Sequence, residues 1–388
     1  MIKKILFLIL LSLIIVSTIT AILVYSDNRV EEENKAVVKP DVIEGPKEII
    51  PTSFCEGVPN NSYIEKLTYT MKLKQLLVPT STPSELTRSA DLLIGFGGYV
   101  LVDTLNHYTN PDQIIADSTK LNELGTQDDI PVLIGLDAEG GIVQRLSWYD
   151  MKSINQVKSL SSAKRCTVYT EQATTLKALG FNWSLAPVVD VPSQASHWIA
   201  SRSIDMSPIV TSELANEYVN CIQNENVLST PKHFPGHGGT SLDSHFEIPV
   251  VSKSYDEWLA SDAIPFVELS QFAGSIMVGH LRFDKIDPNP SSASNRWMTE
   301  ILREELQFEG IIVTDDLGML GAKTSKECAI DIYNALIAGA DLAMFPSGHN
   351  CNAQDVVVAL ESMNIDENLI DMKLNRVLDT KRRFLCPN

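Results

Sequence analysis

From about residue 60 the chain alternates two patterns: short β-branched apolar runs, and longer stretches whose apolar positions recur every three or four residues. The runs predict strands at Gly98–Val102, Pro131–Leu136, Phe181–Val189, Val227–Thr230, Ser275–Gly279, Ile311–Thr314 and Leu342–Phe345. The helical pattern covers 161–179, 208–224, 254–271, 296–307 and 325–337, with Gly180 as a C-cap to the first. Strands and helices in strict alternation are the mark of parallel βαβ units. An eight-stranded barrel needs one strand more, either before Gly98 or near Val356, and an open doubly wound sheet is the alternative. Polar residues stand just past several strands, at Asp137, Asp190, Lys232, His280 and Asp315. In a (β/α)8 barrel such positions converge on one mouth, whereas a doubly wound sheet concentrates its chemistry in a single crevice. The expected class is therefore α/β, a single (β/α)8 TIM-type barrel over residues 60–388.

The N-terminus follows another pattern. Lys3 and Lys4 precede an uncharged, mainly Ile, Leu and Val run from Ile5 to Tyr25. About 20 such residues span a bilayer core as a helix. Basic residues before the run and Asp27, Glu31, Glu32 and Glu33 after it place the N-terminus in the cytoplasm and the remainder outside. Residues 1–25 are expected to form a transmembrane signal anchor, with the catalytic part secreted instead if this segment is cleaved. Residues 26–59, with Pro40, Pro46, Pro51 and Pro59 among polar side chains, predict an extended linker.

An apolar fraction of 44% supports a full-sized core, and a net charge of −18 argues against nucleic acid as a partner. Cys55, Cys166, Cys221, Cys328, Cys351 and Cys386 contain no C-x-x-C pair, so neither a zinc ribbon nor a thioredoxin-type motif is present. Export permits disulfides, but spacing leaves pairing, and the choice between bridges and buried thiols, open.

Three stretches carry candidate chemistry. Lys232-His233-Phe234-Pro235-Gly236-His237-Gly238 follows a strand and leads, through a Gly-rich loop expected to be mobile, to Asp243-Ser244-His245. A carboxylate two residues from an imidazole can orient it and raise its basicity, which makes a proton shuttle near neutral pH. Metal ligation by the same histidines is the competing reading, but zinc needs rigidly held ligands and the loop is rich in glycine. In Thr314-Asp315-Asp316-Leu317-Gly318-Met319 a buried strand ends in two carboxylates. Asp315 is placed to attack a sugar C1, while Asp316 suits a capping role. In Asp137-Ala138-Glu139-Gly140-Gly141-Ile142-Val143-Gln144-Arg145, Asp137 can accept from vicinal hydroxyls and Arg145 can donate to another or orient a carboxylate. Arg202, in Ser201-Arg202-Ser203-Ile204, is a similar single donor.

Together these stretches resemble the bacterial β-N-acetylglucosaminidases of glycoside hydrolase family 3, with support from Gln75-Leu76-Leu77, Ala186-Pro187-Val188-Val189-Asp190 and Met277-Val278-Gly279-His280. The resemblance implies Asp315 as nucleophile, His245 as acid/base with Asp243 as its partner, and Asp137, Arg145, Arg202, Lys232 and His233 as the residues holding a terminal N-acetylglucosamine. It implies hydrolysis with retention, on peptidoglycan fragments or chitin-type oligosaccharides, without metal or organic cofactor, by a monomer of the single-domain type. Two departures stand out. Ser201-Arg202-Ser203-Ile204 replaces the usual D-R-S-F, and Gly318, where Ser is common, is expected to loosen the turn after the nucleophile. Phosphorolysis by the same site is an alternative, since a neutral imidazole does not repel phosphate. A catalytically silent sugar-binding protein is the rival from another class.

Overall fold

A computed structural model describes residues 50–388 apart from 83–85, 87–92, 103–107, 109, 127–128, 195–197, 241, 243–246, 324, 326, 348–350 and 387–388. The run Ile5–Tyr25 and residues 26–49 of the expected linker lie outside it; among the described residues no helix is long and apolar enough to cross a membrane. Eight strands occur: β1 (Leu77–Ser81), β2 (Gly98–Leu101), β3 (Leu133–Leu136), β4 (Trp183–Ser184), β5 (Leu228–Ser229), β6 (Ser275–Val278), β7 (Ile311–Thr314) and β8 (Ala343–Pro346). All ladder pairs are parallel, in the orders β5-β4-β3-β2-β1-β8 and β6-β7. Parallel bridges from Phe234 to Val278 and from Val313 to Leu342 join the two sheets at both edges, so the ring closes. An open sheet would have two free edges, and the doubly wound alternative is excluded on that ground.

The eighth strand is β1, before Gly98; Val356 lies in the helix Ala353–Met363. Pro79 obscured β1 in the sequence, because proline gives no ladder donor. The predicted strand Phe181–Val189 shortens to Trp183–Ser184, with a separate bridge from Val188 to Lys232. The predicted helix 254–271 breaks into Tyr255–Leu259, started by a Ser254–Glu257 capping box, and Ala263–Leu269. The segment Arg296–Glu305 is π-helical.

Alternation along the strands divides the core into two layers. Val78, Val100, Leu133, Met277, Ile311, Val313 and Met344 pack in one cluster with Val377, Phe384 and Leu385 of the C-terminal helix Glu367–Leu385, which closes the barrel floor. Their strand neighbours Tyr99, Ile134, Ile276, Ile312 and Phe345 belong to the second cluster, with the surrounding helices.

The folded body starts earlier than residue 60. Thr52–Cys55 is a helical turn, Phe54 is buried beneath the Arg382 guanidinium, and Cys55 is bonded to Cys386. This corrects the C-terminal limit of the linker. Cys166–Cys221 joins two neighbouring helices, and Cys328–Cys351 ties the start of the helix Cys328–Ala338 to the loop after β8; Cα–Cα separations are 5.5, 5.6 and 5.6 Å in chain order, within the usual range for a bridge. All six cysteines are thereby paired.

Candidate active site

The first residue past β3 is Asp137, at the C-terminal mouth of the barrel. Its Oδ1 accepts from Lys232 Nζ at 2.7 Å and its Oδ2 from Arg145 Nη2. Lys232 Nζ lies also 2.7 Å from Glu139 Oε1, and Arg202 grips Glu139 with two hydrogen bonds, Nη2 to Oε1 at 2.7 Å and Nε to Oε2 at 2.9 Å. The charges thus alternate along Arg145, Asp137, Lys232, Glu139 and Arg202, with one cation in excess. Burial alone would discharge Lys232, whose side chain is 2% exposed, but Asp137 and Glu139 reverse this and raise its pKa. Burial likewise opposes charge on the two carboxylates, and Lys232, helped by Arg145 at Asp137 and Arg202 at Glu139, holds both below their ordinary range.

The chain leaving β5 supplies Lys232 and then His233. His233 Nδ1 lies 2.7 Å from Asp190 Oδ2, and Asp190 Oδ1 accepts from the amides of His233 at 3.2 Å and His237 at 2.6 Å. Bonded to a carboxylate, Nδ1 carries the proton, which leaves Nε2 as the ring edge available to a ligand. Asp190 has no exposure; burial would raise its pKa, but His233 and His237 outweigh this and lower it. Two glycines of this loop fall in a tightly packed turn. His237–Gly239 forms a 3₁₀ turn, and a Cβ on Gly238 would fall 1.8 Å from the Val191 carbonyl oxygen. Here glycine serves close backbone packing.

Beyond β7, the Asp315 amide donates to the Val278 carbonyl at 2.8 Å, and Asp315 Oδ1 accepts from the Asp316 amide at 2.8 Å. The residue as a whole is half-buried. Desolvation raises its pKa, but the nearby His233 and His280, the Asp316 amide and Lys232 more than compensate, so Asp315 is held below the usual carboxylate range. His280, fully buried, donates from Nε2 to the Asp316 carbonyl at 3.0 Å, and its Nδ1 lies 2.8 Å from the Ser292 hydroxyl. A carbonyl only accepts, so the proton sits on Nε2 and fixes the turn after Asp315.

Asp316 caps that turn, accepting from Gly318 N at 2.7 Å and Thr80 Oγ1 at 3.0 Å. Burial, with the neighbouring Asp315, pushes it up to about 6. Gly318 does not loosen the turn: an added Cβ would lie 2.4 Å from Pro346 Cγ and 2.9 Å from Asp316 Oδ1, so serine is excluded here by packing.

The structure therefore gathers Asp137, Arg145, Arg202, Lys232, His233 and Asp315 at one mouth. Asp243 and His245 lie outside the described residues. Among the described residues no cluster of three or more His, Cys, Asp or Glu side chains is arranged to hold a metal ion.

The family model for the glycosyl hydrolase family 3 N terminal domain matches residues 68–380. The chain belongs to glycoside hydrolase family 3. It is similar to a β-hexosaminidase of Pseudomonas aeruginosa, 33% identical over 238 residues, which cover 60% of this chain and 71% of that protein. It is also similar to the solved family 3 β-N-acetylglucosaminidase of a Paenibacillus species, with 28% identity and a TM-score of 0.69, covering 82% of this chain and 62% of that longer one. A solved β-N-acetylhexosaminidase of Beutenbergia cavernae, 24% identical with a TM-score of 0.73 over 81% of this chain and 99% of that one, shares the fold.

Two residues of this family 3 site had no role assigned from sequence. Glu139 stands inside the quoted Asp137–Arg145 stretch, and its signal was a second carboxylate two residues after the first. Asp190 was noted only as a polar residue past a strand. The departure at Ser201 acquires a reason as well. Ser201 Oγ donates to the Trp198 carbonyl at 3.0 Å, while Glu139 and the Trp198 ring, 5.4 Å from the guanidinium carbon, orient Arg202.

Proposed function

We propose that this family 3 glycosidase removes terminal, non-reducing β-linked N-acetylglucosamine with retention of configuration. The observation that carries the reading is Asp315, a half-buried residue whose carboxyl is held below the usual range by His233, His280, the Asp316 amide and Lys232 and is left with spare acceptor capacity at the barrel mouth. The relatives named β-hexosaminidase and β-N-acetylglucosaminidase support the choice of sugar. Asp315 attacks C1 as the C1–O bond breaks, and protonated His245 gives its proton to the departing oxygen. His245, oriented by Asp243, then takes a proton from water, whose oxygen attacks C1 and frees Asp315. Asp137 accepts from sugar hydroxyls, while Lys232, Arg145, Arg202 and the Nε2 edge of His233 surround the ring.

The reading extends to location. The run Ile5–Tyr25 serves as a membrane anchor with the barrel outside the cytoplasm, where peptidoglycan fragments or chitin-type oligosaccharides supply substrate. The pairing of all six cysteines supports an oxidising compartment.

The test is turnover of a chromogenic β-N-acetylglucosaminide by the full chain beside Asp315→Ala and His245→Ala, with chelator, and with and without phosphate. The reading expects chelator-resistant release of free N-acetylglucosamine that collapses in Asp315→Ala. A sugar phosphate as product would transfer the site to phosphorolysis, and silence on every β-glycoside, with sugar binding retained, would make the protein a receptor.

A further inference from the structure

Trp198 opens the 3₁₀ turn Trp198–Ser201 in the loop after β4, at the same end of the barrel as Asp315, and the chemistry above makes no use of it. Three contacts converge on its half-buried side chain. The indole Nε1 donates to the Leu242 carbonyl at 3.0 Å. The Arg202 guanidinium lies over the ring, 5.4 Å from its centroid, and His237 meets the ring edge-on at 5.0 Å and 87°. Leu242 is held from its other side too, where its amide donates to Thr240 Oγ1 at 3.1 Å. The next residue in the chain is Asp243, and His245 follows two later.

We propose that Trp198 is a positioning residue for the general acid: by holding the Leu242 carbonyl it sets where the backbone enters the Asp243–His245 pair, in register with the Arg202 end of the sugar site. This rests on the assignment of His245 as acid/base. The physical reason is the steep dependence of proton transfer on geometry, since the acid must come within hydrogen-bond reach of the departing oxygen. A single indole that bonds the entry to the acid's segment and also packs on a sugar-site arginine couples the two placements directly. Ser201, where the family usually has Asp, places no second carboxylate beside Arg202, so among the described residues the ring and Glu139 orient that arginine.

Trp198→Phe keeps a smaller aromatic ring for Arg202 and His237 and removes the N–H together with the pyrrole half of the indole. In the full chain, kcat/KM is measured on two β-N-acetylglucosaminides with the same sugar: an alkyl glycoside, whose leaving group needs a proton, and a dinitrophenyl glycoside, whose leaving group does not. His245→Ala serves as the reference, and the inhibition constant of free N-acetylglucosamine reports sugar binding. Expected for Trp198→Phe is a loss of about tenfold on the alkyl glycoside, within the hundredfold that misplacement by about 1 Å can cost, with little change on the dinitrophenyl glycoside or in the inhibition constant. His245→Ala should show the same selectivity more strongly. Equal losses on both glycosides, or a change confined to sugar binding, would overturn the proposal and leave Trp198 as pocket wall. If His245→Ala itself lacks the selectivity, the acid/base assignment fails and this inference with it.

Discussion

The barrel has a buried ion cluster at each end, and only one of them has chemistry to do. At the floor, Asp341 is fully buried, with Oδ2 accepting from Arg303 Nη2 at 2.7 Å and Ile312 N at 2.9 Å, and Oδ1 from Arg376 Nε at 2.8 Å with Arg376 Nη2 2.7 Å away. Four donors fill the roughly four acceptor positions of a carboxylate. At the mouth, Asp315 has His233, His280 and Lys232 nearby but accepts from one donor among the described residues, the Asp316 amide, and the residue is half-buried. A cavity of about 920 Å³ opens at the floor, lined by Arg303, Phe308, Arg376 and Phe384 among others, yet its two arginines Arg303 and Arg376 are already engaged by Asp341, behind the lining. Burial and clustered charge mark both ends; unused acceptor capacity marks the one that can take a substrate.

The sharpest contrast comes from removing each carboxylate. Asp315→Ala should lower kcat/KM by roughly four orders of magnitude or more while leaving the unfolding midpoint nearly in place. Asp341→Ala should leave turnover per folded molecule intact but cost about 3–5 kcal/mol, because two arginines lose their buried partner. Steady-state kinetics and denaturant unfolding on both variants check this, and comparable activity losses would erase the distinction between the two ends. Within the mouth, Lys232→Met strips the shared cation from Asp137 and Glu139 and should reduce kcat/KM by about 100-fold. Glu139→Gln weakens the grip on Arg202 and one of the two ion pairs of Lys232, and should act mainly through KM, by about tenfold.

The N-terminal stitch tests whether the floor is purely structural. Replacing Cys55 and Cys386 by serine should lower stability by about 2–4 kcal/mol without altering KM. The smallest effect expected at the floor is a pH dependence. Lys381, fully buried with Nζ donating to the Gly97 carbonyl at 3.0 Å, is pushed by desolvation from 10.5 down to about 7. The unfolded chain therefore binds more protons than the folded one between these values, so stability rises with pH across that window and is withheld as pH falls through about 7. Lys381→Met should gain roughly 2–4 kcal/mol near neutral pH, fading toward pH 10.5; the Gly97 carbonyl keeps the Leu133 amide as donor. Unfolding curves at several pH values report it, and a pH-independent difference would show the lysine to be uncharged in neither state.

The same contrast explains what could be read along the chain. Strand–helix alternation and the polar residues after each strand located seven strands and the mouth, because those signals are local. The strand Leu77–Ser81 escaped because Pro79 interrupts a five-residue run whose pairing, with Gly98–Leu101 and Ala343–Pro346, is non-local. Asp315, Asp137 and Lys232 were legible as polar residues past apolar runs. The roles of Asp190 and Glu139 depend on partners 43 and 63 positions away, His233 and Arg202, which no spacing rule connects. Gly318 shows the limit most clearly: its reason is Pro346, on the adjoining strand, and not flexibility.

The most direct test of Asp315 as nucleophile is to inactivate the full chain with a slow fluorinated N-acetylglucosaminide that traps the glycosyl-enzyme, digest it, and weigh the peptides. The account predicts one added sugar on the peptide containing Asp315, with fragmentation placing it on that residue. A sugar on Asp316 instead, or an inactivated enzyme whose 311–319 peptide carries no sugar, would contradict it.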